Sequence, residues 1–251
     1  MIVVDEGSHF LLITQPDHAF FAVELLSLWR GGGLPDHPRR EDLLFAIREH
    51  DNGWREVDAA PSVARESGRP LDFIGLPREA RIEVWRRGTS RYAEERPYAA
   101  ALITHHALAL HRRRSSDPAW GEFLSELRER YEELESQLGT EATAIASDYR
   151  FLRLADEISL AACNRWSEPR ERHGIRFRFD QETLFLDPFP LAGTTTFRIP
   201  SRRIAVRRYR GDADLGAELA AARWSHWRVR AAAETVPRAD AGGCLREGSA
   251  W

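Results

Sequence analysis

The stretch PYAAALITHHALALH, residues 97–111, is the most apolar helical pattern in the chain and decides the predicted fold class. Pro97 begins the stretch, and proline is favoured in the first turn of a helix. The apolar residues after it recur at helical spacing. His106 falls on the same face as Leu102 and Leu110. The stretch therefore predicts a core helix that buries a histidine within its apolar face.

Other predicted helices combine an apolar face with polar residues in the same way. They place His18 in residues 15–29, His50 with Asp51 at the end of residues 41–50, and Asp156 in residues 140–165. Burying an unpaired Asp or a charged His costs several kcal/mol, so each such group needs a partner. For any single histidine the alternative is a core residue that donates to a backbone carbonyl. The recurrence on four helices favours a shared metal ion.

The strand patterns lie at the two ends of the chain. Residues 2–4 and 9–14, separated by turn residues, predict an N-terminal hairpin, and a period of two from about residue 174 predicts a small antiparallel sheet. We therefore expect a mainly α fold, a helical bundle with an N-terminal hairpin and a small C-terminal antiparallel β subdomain. The expected parts are a helical metal-binding domain at 1–168, a strand-rich subdomain packed on it at 169–235, and a disordered tail at 236–251.

Composition excludes several classes of function. The 251 residues are 43% hydrophobic and 30% charged, which is typical of a globular chain, and the net charge of −3 offers no general attraction to nucleic acid or an anionic membrane. No apolar run reaches the ~18–20 residues of a membrane helix, and no secretory signal pattern opens the chain, so we expect a cytoplasmic location. All 36 basic residues are arginine, which excludes lysine chemistry. Cys163 and Cys244 are too few and too far apart for a thiolate metal site.

Four sequence segments carry a family resemblance. His18 in QPDHA, His50 and Asp51 in REHDNGW, and Asp156 in LADEISL resemble the H…HD…D signature of the HD-domain superfamily, all-helical metal-dependent phosphohydrolases. The chain resembles more closely a bacterial family of unknown function, the domain-of-unknown-function 3891 family. The matching motifs are LLITQPDHA, EHDNGW, GRPLDF, PYAAALITHH, ADEISL and LDPFP, and the resemblance covers about residues 2–230. The resemblance implies an HD-like helical bundle.

The resemblance also implies a ligand set. His18, His50, Asp51 and Asp156 would bind a divalent ion, namely Mn, Fe, Zn or Mg, which accept histidine and carboxylate ligands. His106 would be an extra ligand, with His105 as the competing choice. The fuller dinuclear pattern of the superfamily has two additional histidines between the HD pair and the last Asp. In this chain only His105, His106 and His111 are available there, and all three lie on one predicted helix. One ion is therefore favoured, and two ions would require Glu79 or another carboxylate.

Substrate-binding residues are expected next to the HD pair, in and around a long irregular loop at 55–76 that would lie over the metal. The candidates are Asn52, Trp54, Asp58, Arg69 and Asp72. Arg69 would bind a phosphate or carboxylate, and Trp54 would form a wall of the pocket. The alternative is that Trp54 is a core residue and Asp58 a loop cap.

The leading functional hypothesis is a metal-dependent hydrolase of a small phosphoester, in which the cation acidifies a bound water and His106 and Arg69 stabilise the developing charge. One alternative is an HD-type di-iron oxygenase. Another is a non-enzymatic, metal-stabilised binding module. An open metal position beside a pocket favours catalysis, and a closed set of protein ligands favours the binding module. The expected partner is a small-molecule substrate, with no nucleic acid and no membrane, and a homo-oligomer is compatible with the sequence.

Overall fold

The structure is a computed structural model that describes residues 1–234. About 52% of it is helical and 20% lies in strands. The helices are α1 Gln15–Ser27, α2 Arg40–Glu49, α3 Arg55–Ala59, α4 Arg78–Ser90, α5 Pro97–His111, α6 Pro118–Leu138, α7 Ile145–Cys163 and α8 Asp212–Ala221. The strands are β1 Ile2–Asp5, β2 His9–Ile13, β3 Arg170–Arg172, β4 Ile175–Asp180, β5 Thr183–Asp187, β6 Thr195–Ala205 and β7 Trp224–Ala233. The tail predicted at 236–251 lies outside the described residues.

All seven strands form one curled sheet, a half-barrel, in the order β1-β2-β6-β7-β5-β4-β3. Neighbours are antiparallel except β5 and β7, which are parallel, so the sheet is mixed. The expectation of a mainly α bundle with a separate small β subdomain is therefore wrong. The N-terminal hairpin is part of the same sheet, because β2 pairs with β6 and sets Phe10 opposite Ile204. The boundary predicted at residue 168 stays a prediction.

Strand β2 shows why one sheet forms from both ends of the chain. Its side chains alternate between two faces, and both faces are buried. Leu11 and Ile13 join the main core, whereas Phe10 and Leu12 pack in a second cluster with residues of α8. A strand buried on both faces reads as a continuous apolar run, as HFLLI does.

The main core lies between the sheet and the helices that carry the polar residues. Helix α1 packs on β6, where the rings of Phe21 and Phe197 meet edge to face with centroids 5.2 Å apart. Inward residues of β4 such as Phe177 and Phe179 join the same core as Leu152 of α7. Each helix therefore presents one apolar face to a shared core, and the histidines and aspartates on those faces are brought together.

The segment after α2 is held in position by a close contact between its backbone and the backbone of α4. The turn Asn52–Trp54 crosses α4 at Gly53, where an added Cβ would lie 2.0 Å from the carbonyl oxygen of Val84. Only glycine fits that separation. Asn52 strengthens the crossing by donating from its side-chain amide to the carbonyls of Glu49 and Gly88. This crossing holds the end of α2, and with it Asp51, in place.

Within residues 1–234, no helix combines the length and the apolar character that crossing a bilayer requires.

Candidate metal centre

Five predicted ligands converge from four helices. His18 comes from α1, His50 and Asp51 from the end of α2, His106 from α5 and Asp156 from α7. All five are buried, and the most exposed of them, Asp51, is 8% exposed. His18, His106 and Asp156 lie on the buried faces of their helices, and His50 and Asp51 directly follow α2, so packing of the helices places the polar groups against one another.

The ligand atoms of His18, His50 and Asp51 all lie within 4.8 Å of one another, as the ligands of a single cation do, and Asp156 lies close to both histidines. His18 Nε2 lies 3.0 Å from Asp51 Oδ2 and 4.0 Å from Asp156 Oδ1. His50 Nε2 lies 3.6 Å from Asp51 Oδ2 and 3.5 Å from Asp156 Oδ1. Ligand atoms that each bind a metal at ~2.0–2.2 Å are separated by roughly 3–4 Å in tetrahedral and octahedral sites. The spacing of His18, His50 and Asp51 therefore suits one ion, and Asp156 is the nearest further carboxylate.

The rings of His18 and His50 are held in the orientation that a metal ligand needs. Ser159 Oγ donates to the carbonyl of Asp156 at 3.0 Å, so it accepts from the Nδ1–H of His18 at 2.8 Å. His50 Nδ1–H donates to the carbonyl of Ile47 at 2.7 Å. Nε2 of both rings consequently points towards the carboxylates, where it is held by a proton or is free to bind a metal ion. Metal-binding histidines use their second nitrogen in this way.

The centre requires positive charge. His50 Nε2 is buried and has no hydrogen-bond partner among the described residues, although two carboxylates lie close to it. Burial by itself lowers the pKa of His50, but Asp51 and Asp156 outweigh burial and raise that pKa to about 9. Burial raises the pKa of Asp156, but His50 and the other nearby cations outweigh it and hold the pKa well below the usual value. Either a proton or a metal ion can supply the missing charge, and the ligand set fits a metal.

His106 lies on the other side of Asp156, with Nε2 3.8 Å from Asp156 Oδ2. Its Nδ1 is 3.1 Å from the Tyr149 hydroxyl, and burial lowers its pKa to about 3, so the ring is neutral. His50, His106 and Asp156 form a second group with metal-ligand spacing, but this group shares His50 with the first. Because Nδ1 of His50 is hydrogen-bonded to the carbonyl of Ile47, only Nε2 is available, and it can bind one ion.

The other candidate ligands point elsewhere. His105 packs against the rings of Tyr131 and Tyr149 and belongs to neither group of ligand atoms. Glu79 is exposed and pairs with Arg78. Of the two adjacent histidines on α5, the structure brings only His106 to Asp156.

A cleft opens beside the five candidate ligands His18, His50, Asp51, His106 and Asp156, which together are called the metal cluster. Its apolar walls are Trp54, Phe73, Trp85, Leu110, Leu160 and Trp166. Its polar lining is Gln15, Asp51, His106, Arg153, Asp156, Glu157 and Arg170. Because two of the carboxylates that face the cation position also line the cleft, a ligand in the cleft can reach the metal cluster.

Three of the predicted substrate residues have structural contacts. Asn52 is buried in the crossing with α4. Asp58 is buried, pairs with the amino group of Met1 and accepts from the backbone N–H of Gln15 at 2.6 Å. Asp72 caps the turn Phe73–Gly75 and accepts from the backbone N–H of Ile74 at 2.8 Å. These contacts hold the chain around the metal cluster.

The other two predicted substrate residues lie in different places. Trp54 lines the cleft. Arg69 pairs with Asp5 of β1, lies over the Phe10 ring and is not among the residues that line the cleft. The structure therefore does not bring Arg69 to the metal cluster.

Sequence reasoning missed several residues around the site. Arg153 lies 3.4 Å from Asp156 Oδ2 and also pairs with Glu157, and Tyr149 bonds to His106. Both precede Asp156 on α7, by one and two helical turns, and that spacing is the signal that could have found them. Trp85, Trp166 and Arg170 come from other elements, and no local pattern marks them.

Searches of curated proteins and of solved structures gave no match. The family model described as "Protein of unknown function (DUF3891)" matches residues 1–205. This range contains every residue of the metal cluster and all the residues that line the cleft. The match confirms the resemblance to that family noted in the sequence, and the chain belongs to the DUF3891 family.

Proposed function

We propose that the chain binds one divalent cation through His18, His50, Asp51 and Asp156 and hydrolyses a small phosphoester in the adjoining cleft. The supporting observation is the buried Nε2 of His50, which has no hydrogen-bond partner among the described residues and faces two carboxylates. Membership of the HD-domain superfamily is part of the proposal and rests on the order H…HD…D along the chain.

A cation held by these residues would act as a Lewis acid that lowers the pKa of a coordinated water and polarises the phosphoryl group. The protein's own groups bind and orient the substrate. Arg153 stands beside Asp156 at the cleft and would pair with the phosphoryl oxygens. His106 is neutral and close to the same carboxylate, so it would hydrogen-bond to the substrate without adding charge. Water replaces the organic oxygen on phosphorus, and the products are inorganic phosphate and an alcohol.

Two features favour this proposal over the alternatives. A di-iron oxygenase needs two ions, whereas the two groups of ligand atoms share the single available nitrogen of His50. A purely structural metal site is closed by protein ligands, whereas here Asp51 and Asp156 line a cleft. Manganese, iron, zinc and magnesium all accept sets of histidine and carboxylate ligands, so metal analysis decides among them. The small-molecule partner, the cytoplasmic location and a homo-oligomeric state stay predictions.

The test uses the full chain, freed of metal by a chelator and reloaded separately with each of the four ions. We expect one equivalent of bound metal per chain and metal-dependent release of inorganic phosphate from one or more members of a phosphoester panel. His50→Ala should lose both metal and activity. His105→Ala, which alters the neighbouring face of α5, is the matched control and should keep both.

Full metal occupancy in His50→Ala would show that the ion binds elsewhere. Two equivalents of iron, substrate-dependent oxygen uptake and no phosphate release would instead establish the oxygenase. Bound metal with neither reaction would favour the binding module.

A further inference from the structure

Arg170 of β3 is an arginine at the cleft that has no acidic partner within residues 1–234. Its guanidinium lies over the Trp166 ring, 4.4 Å from the ring centroid. No carboxylate of the described residues forms an ion pair with it, and its Nε is buried without a hydrogen-bond partner. The neighbouring Arg153 and Arg172 differ, because both pair with Glu157.

The buried Nε–H of Arg170 is costly, since it has lost water and gained no acceptor among the described residues. Stacking on Trp166 positions the planar group but satisfies none of its N–H groups. A ligand that brings a carboxylate or phosphate to Arg170 would supply the missing acceptors through two parallel hydrogen bonds.

The side chain of Gln15 is a second polar group in the cleft. It is 1% exposed, it lines the cleft, and its Oε1 has no hydrogen-bond partner among the described residues. The walls between the polar groups are flat and aromatic, namely Trp54, Trp85 and Trp166. A planar organic group fits these walls.

Arg170 differs from Arg153 in its relation to the metal cluster. It forms no ion pair or hydrogen bond with any of the five cluster residues, whereas Arg153 already stands beside Asp156. A phosphoryl group at the cluster would meet Arg153. Arg170 is thus available for a different anionic group of the same molecule.

We propose that Arg170 binds an anionic group on the organic part of the ligand, apart from the phosphoryl group. The ligand class is a planar phosphoester whose ring carries a carboxylate or a similar anion. The phosphoester part of this inference rests on the proposed function, but the anion site at Arg170 does not.

The experiment compares two pairs of probes, 3- and 4-carboxyphenyl phosphate and their neutral carbamoyl analogues, which have the same ring and phosphate. Calorimetry measures the affinity of the full chain for each probe, with and without manganese. One arginine–carboxylate pair should favour at least one carboxylate probe over its amide by about tenfold. R170Q should bind both members of each pair within about twofold of each other.

The control is R202Q, because Arg202 also lies over a tryptophan, Trp224, at 4.5 Å but does not line the cleft. R202Q should keep the tenfold preference. Equal affinities in the unmodified chain, a preference that survives in R170Q, or no binding of any probe would each overturn the proposal. A carboxylate preference without phosphate release under any metal would leave the Arg170 site standing and refute the proposed hydrolysis.

Discussion

Removal of the His50 imidazole should change how the stability of the metal-free chain depends on pH. At neutral pH a protonated His50 stands between Asp51 and Asp156. Burial disfavours this charge, but the two carboxylates outweigh burial and raise the pKa to about 9 from the ordinary 6.5. The folded chain therefore holds this proton more tightly than the unfolded chain does.

The sign and size of the effect follow from that difference. A group whose pKa is raised by folding stabilises the fold fully below its unfolded pKa, and the stabilisation is lost as pH rises through the folded pKa. The window here runs from pH 6.5 to about 9. At ~1.4 kcal/mol per pKa unit, the loss is about 3 kcal/mol, or about 6–12 °C in Tm for a chain of this size. Saturating manganese should reverse the slope, because protons then compete with the metal for Nε2.

The loss of stability can be measured by thermal unfolding, followed by circular dichroism at several pH values between 6 and 9.5. The chelator-treated unmodified chain should lose stability across the window relative to His50→Ala, which lacks the titrating group. His105→Ala should follow the unmodified chain, because its side chain stays outside the cluster. Parallel Tm curves for the unmodified chain and His50→Ala, both without metal, would refute the reasoning.

Three further predictions concern the surroundings of the cluster. Gly53→Ala would place a methyl group 2.0 Å from the carbonyl oxygen of Val84. It should lower the free energy of unfolding, measured with denaturant, by about 3 kcal/mol or more. An unchanged unfolding midpoint would contradict the close contact between Gly53 and α4. Ser159→Ala removes the acceptor for His18 Nδ1–H and should weaken manganese binding by about 10–100-fold in a chelator competition, whereas undiminished affinity would deny Ser159 an orienting role. Asp117→Ala removes the N-cap of α6 and should lower the free energy of unfolding by about 1 kcal/mol. Metal affinity should stay unchanged, because this helix contributes no candidate ligand. A loss of bound metal would show that α6 is coupled to the site.

The positions of the ligand residues on their helices could be predicted from the sequence. His18, His50, His106 and Asp156 each interrupt an apolar face with helical spacing, and the hydrophobic pattern of a helix is a local property of the chain. The cost of burying polar groups then predicts that they meet, and in the structure they do. The choice of His106 over His105 followed from the same geometry, because adjacent residues point about 100° apart around a helix.

Only the tertiary structure decided the sheet and the cleft. Strands β2 and β6 pair residues 9–12 with residues 202–205. The alternation of apolar and polar residues within a strand does not indicate which distant strand it pairs with. Arg69 follows the HD pair in sequence but lies over Phe10, whereas Arg170, far along the chain, lines the cleft. The physical reason is that a side chain's place on its own helix or strand depends on nearby residues. Its neighbours across the core depend instead on how all the elements pack together.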